Sequence, residues 1–60
     1  MSFYKEVWVV SVVSQAASME VDEFTSIESI KGGERLANKR KQELESKGFT
    51  VYVAHWKVEI

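Results

Sequence analysis

Two stretches of this chain, residues 6–13 and 49–60, are apolar at consecutive or both alternating positions, yet the chain between them has room for only one helix. A strand apolar on both sides needs a layer on each face, and one helix supplies one layer. Apolar surface therefore remains after the chain has folded on itself, and a contiguous patch of several hundred Å² on a protein normally marks an interaction site.

The stretch Val7-Trp8-Val9-Val10-Ser11-Val12-Val13 is β-branched and aromatic and holds no glycine or proline, which predicts a central strand. Residues 14–18 are small and polar and predict a connection. Residues 19–24, Met-Glu-Val-Asp-Glu-Phe, alternate imperfectly and carry three acids, predicting an edge strand hairpinned to the first. The final strand divides into Phe49, Val51 and Val53 on one face and Tyr52, Ala54, Trp56, Val58 and Ile60 on the other. It is expected beside the first strand, both reading as central.

The helix is expected to start at Thr25-Ser26-Ile27-Glu28, where a Thr25 hydroxyl and a Glu28 carboxylate would form a reciprocal cap. From there Ile27, Ile30, Ala37 and Leu44 fall on one stripe, widened by Leu36. At the far end Lys47, Gly48 and Phe49 predict a left-handed glycine ending with Phe49 returning toward Leu44. Gly32-Gly33 would cost roughly 2 kcal/mol inside a helix and could split it. The preserved phase of the stripe favours a continuous helix, with Gly33 lying close over a bulky residue such as Trp8 or Trp56. The fold class expected is α+β, a small ββαβ domain: a three-stranded sheet containing antiparallel pairs, with one helix packed on one face.

Sixty residues make one domain, 1–60, and a domain of this size buries only about 60% of the surface its unfolded chain exposes. There is no cysteine and one histidine, so disulfides and thiolate metal sites are excluded as supports. Oligomerisation is the support that remains. Eight basic and nine acidic residues leave no overall basic field, so nucleic acid is not the default partner. The charged pair Lys5-Glu6 before a short apolar run fits neither a membrane span nor a leader, and a cytoplasmic location is expected.

Val7-Trp8-Val9-Val10, then Phe24-Thr25-Ser26 with Glu28, then His55-Trp56-Lys57-Val58-Glu59 together resemble a loose group of small uncharacterised bacteriophage and prophage proteins. Members of that group read as a hydrophobic strand, a Phe-Ser-Ser-x-Glu helix start and a Trp-x-Val final strand. This chain departs from them at Gly32-Gly33 and in the loop at 14–18. The resemblance implies a strand-strand-helix-strand domain and a phage-type accessory protein that binds a host protein in the host cytoplasm. It implies no activity.

Catalysis would need His55 beside a nucleophile or two carboxylates in one cleft, and the acids lie on an edge strand and on solvated helix turns. No enzyme, cofactor, metal or small-molecule substrate is expected. His55 reads as a sheet residue before it reads as a pH-sensitive contact. Gly32-Gly33 lacks the lysine and hydroxyl residues of a phosphate loop. Arg35, Lys39, Arg40 and Lys41 could offer a nucleic-acid stripe, although the interleaved Glu34, Glu43 and Glu45 favour a solvated face. Trp8, Val10 and Val12 share one face of the first strand, and Tyr52, Trp56 and Val58 one face of the last. These six are the candidate partner or dimer interface. The function expected is a non-enzymatic protein-binding module that inhibits or redirects a host protein, a homodimer formed by the sheet face the helix leaves open or by pairing of edge strands. The alternatives are a nucleic-acid-binding accessory protein and a small structural assembly subunit.

Overall fold

The computed structural model describes residues 3–27 and 32–59. Strands β1 (Tyr4–Val13) and β2 (Ser18–Ile27) are followed by helix α1 (Gly33–Ser46) and strand β3 (Thr50–Glu59). The sheet order is β2-β1-β3, with β1 antiparallel to both neighbours. This is the expected ββαβ architecture, a small α+β domain with one helix on one sheet face.

Chain order produces this topology directly. A four-residue loop, 14–17, returns β2 alongside β1. It is closed by the Ser14 N–H donating to the Ala17 carbonyl at 2.9 Å and by the Ala17 N–H donating to Ser14 Oγ at 3.3 Å. The helix then carries the chain back over the sheet, so β3 enters on the free side of β1. Both strands flanking β1 therefore remain edges, and β3 lacks the central position its two-sided apolar pattern predicted.

The helix begins later than its capping pattern predicts. Thr25 pairs with Val7, Ser26 with Glu6 and Ile27 with Lys5, extending β2 to the start of β1. The β-branched Thr25 and Ile27 gain a ladder there that a helical turn would forfeit. Glu28 and Ile30 lie outside the described residues. The first turn of α1 is capped from a distance instead: the buried Ser26 hydroxyl accepts from the Gly32 N–H at 3.2 Å and the Gly33 N–H at 2.7 Å. Two of the donors that any helix start leaves unpaired are thereby satisfied by the strand beneath.

Gly33 is required by close approach. A Cβ built on it would stand 2.7 Å from both the Trp8 ring and Ser26 Oγ, so the helix backbone rests directly on the indole. The stripe continues through Ala37 and Leu44, which with Trp8 and Val10 form the buried core. Val12, Phe24, Val51 and Val53 pack around it. Leu36, expected to widen the stripe, points to solvent. At the helix end the Gly48 N–H donates to the Glu45 carbonyl at 3.0 Å and the Phe49 N–H to the Leu44 carbonyl at 3.2 Å. Gly48 has φ 92°, the left-handed conformation of the expected ending.

Candidate functional site

Strand parity sorts the apolar residues onto two faces. On the covered face, Trp8 lies opposite Phe24 and His55, and Val10 opposite Asp22 and Val53. On the other face, Val7 lies between Thr25 and Trp56, Val9 between Glu23 and Ala54, Lys5 between Ile27 and Val58, and Ser11 opposite Tyr52. No described element lies over this second face. Its footprint is about 33 Å by 14 Å, from ten residues at about 3.3 Å and three strands at about 4.8 Å.

Val7 and Val9 are nevertheless buried, at 4% and 5% exposure. Their cover is lateral, from side chains of the two edge strands, and those side chains carry the exposure: Tyr52 at 61%, Trp56 at 45% and Ile27 at 42%. The open face is thus a valine floor along β1 with an aromatic wall on β3. Lys5 and Glu23 are its charged members nearest the centre.

The six predicted interface residues are divided by this arrangement. Tyr52, Trp56 and Val58 belong to the open face. Trp8, Val10 and Val12 lie under the helix, Trp8 and the fully buried Val10 in the core and Val12 half-buried against it. The missed members of the open face are Val7, Val9 and Ile27. A strict alternation through residues 7–13 gives Val7 and Val9 the parity opposite to Trp8, but nothing in that pattern says which parity the helix selects.

The four basic helix residues are not equivalent. Arg40 is half-buried, donating from Nε to Asp22 Oδ2 at 2.7 Å and from Nη1 to Glu43 Oε2 at 3.3 Å, so it is committed to ion pairs. Lys41 is half-buried, and Arg35 and Lys39 face solvent. One of the four cations is therefore committed to carboxylates rather than left to a phosphate backbone.

A shallow depression lies beside the start of α1, lined by Tyr4, Glu6, Trp8, Ser26, Arg35 and Lys57 among others. Glu6 Oε1 approaches His55 Nε2 at 3.6 Å and Lys57 Nζ at 3.9 Å there. His55 stacks on Trp8 with ring centroids 4.6 Å apart. The only hydroxyl beside them on β2, that of Ser26, is engaged by two backbone N–H groups. Among the described residues there is no cluster of three potential metal ligands, and no helix is long and apolar enough to cross a membrane. No protein-family model, curated protein or solved structure matches this chain.

Proposed function

We propose that this protein is a non-enzymatic protein-binding module that acts as a homodimer and engages a second protein through its open sheet face. The observation that carries the reading is the pairing of a buried Val7–Val9 floor with a half-exposed aromatic wall, Tyr52 and Trp56, and no layer above them among the described residues. Tryptophan and tyrosine are the residues most enriched where binding energy concentrates, because each brings large area with a polar handle. The partner class is a bacterial protein that the module inhibits or redirects, a choice supported only by the resemblance to small phage proteins.

The test compares the wild-type chain with the double variant Tyr52→Lys/Trp56→Lys, both tagged and exposed to bacterial lysate. A protein retained in stoichiometric amount by the wild type and lost by the variant, with unfolding midpoints of the two unchanged, is the expected result. Equal retention by both, or retention by neither, refutes the reading.

A further inference from the structure

The two edges of the sheet differ in their protection against pairing with another chain. Edge strands are normally blunted by charge, by bulges or by proline. β2 has the first two devices. Its register against β1 shifts between Val10 and Ser11, leaving Val21 as an extra residue, and Glu20, Asp22 and Glu23 surround that point. β3 has no bulge and little charge: it pairs with β1 without a break over all ten residues, and its first seven, Thr-Val-Tyr-Val-Ala-His-Trp, carry no carboxylate, lysine or arginine, its charged residues Lys57 and Glu59 lying at the far end.

We propose that β3 pairs antiparallel with β3 of a second copy, giving one six-stranded sheet in the order β2-β1-β3-β3-β1-β2. Charge selects this seam. Self-pairing of β2 would bring three acids of each copy together at its centre, and like charges directly opposite one another repel. Pairing of β2 with β3 is head-to-tail and cannot close as a dimer with both edges equivalent, whereas β3 with β3 is isologous and closes as a two-fold dimer.

The side chains of β3 also fit one another about a single centre. With the axis at Ala54, each Tyr52 lies opposite the partner's Trp56, so the two most exposed large apolar side chains of the strand meet across the seam, with paired alanines between them. Residues of equal parity meet in this register, so both helices lie on one side and the two open faces merge into one. The inference rests on the homodimer of the proposed function. It assigns self-association to the edge and leaves the merged face to the other partner.

The experiment is sedimentation of the full chain across a dilution series, with amide hydrogen exchange measured at the same concentrations. The expected result is a dimer in which alternate β3 amides become protected as concentration rises while those of β2 do not. Ala54→Lys, which sets two ammonium groups opposite each other at the axis, should weaken the dimer at least tenfold, and Glu23→Lys on β2 should change it less than twofold. A monomer at every concentration overturns the proposal. So does a dimer with unchanged β3 exchange, which would mean packing face to face. If Ala54→Lys does not fold, the exchange pattern of the native chain still decides. Sedimentation and exchange of the native chain involve no lysate protein, so the edge assignment is decided without reference to the binding test.

Discussion

Trp8 and Trp56 sit one residue step apart across the β1–β3 ladder, Trp8 opposite His55 and Trp56 opposite Val7, yet they lead different lives. Trp8 is 6% exposed, under the Gly33 backbone and against the His55 ring. Trp56 is 45% exposed on the bare side of the same sheet. The side chain is the same and both stand in one sheet, Trp8 on its central strand and Trp56 on an edge. What separates them is the helix, which covers a single parity of the sheet, together with the lateral cover that a central strand has on both sides and an edge on one. Truncation should expose this difference most sharply: Trp8→Ala should cost about 3–5 kcal/mol, as for other buried aromatic residues. That is comparable to the whole stability of a small domain, so the variant should be largely unfolded. Trp56→Ala should cost under about 1 kcal/mol in the monomer, as exposed substitutions do, while weakening self-association. Urea unfolding followed by circular dichroism, at a concentration where the wild type is monomeric, measures both. Equal losses would mean the two faces are not distinguished by cover.

The contact between the helix start and the strands offers a second way to sharpen the comparison. Gly33→Ala must force a methyl group to within 2.7 Å of the Trp8 ring and Ser26 Oγ, displacing one of them. Overpacking of this kind costs about 1–3 kcal/mol, outweighing the gain of up to about 1 kcal/mol that alanine brings to a helix. Ser26→Ala removes the acceptor of two helix-start N–H groups and should cost about 1–2 kcal/mol, the usual value of a lost cap. Urea midpoints of the two single variants and the double variant check this. A stabilising Gly33→Ala would mean that the helix does not rest on Trp8, and that the covered face is looser than its burial indicates.

These same residues show what could be read from the chain alone and what could not. The strand order, the central β1 and the Gly48 ending follow from local patterns whose physical cause is local: alternation, a connection of polar residues, a left-handed glycine. Gly33 over a large ring was also legible, since a glycine in the helix stripe leaves space for one, but whether that ring is Trp8 or Trp56 depends on which sheet face the helix covers. The helix start was not, because residues 25–27 satisfy a capping pattern and a strand pattern equally well. Pairing with the start of β1, a contact some twenty residues away, decides between them. The division of the interface set has a similar origin. Val7 and Val9 are as apolar as Val10 and Val12, and only the position of α1 makes one pair a floor and the other a core.

The smallest expected effect lies at the rim of the covered face, where Arg40 bridges the helix to Asp22 of β2. Its Nε–Oδ2 distance of 2.7 Å is short, but the two side chains retain 29% and 40% of their exposure, so water and salt screen the pair. A double-mutant cycle with Asp22→Ala and Arg40→Ala should return a coupling of about 0.2–1 kcal/mol that declines as ionic strength rises. The cycle also tests what holds the helix on one face. Burial of Trp8, Val10, Ala37 and Leu44 is insensitive to salt, whereas the Asp22–Arg40–Glu43 group is not. A small, salt-sensitive coupling assigns the choice of face to the core, with the ion pair only trimming the helix orientation over β2. A coupling above about 2 kcal/mol, well outside the range of exposed pairs, would instead mean that the acids on β2 serve two ends at once: they keep that edge from pairing, and they fasten the helix to the face it covers.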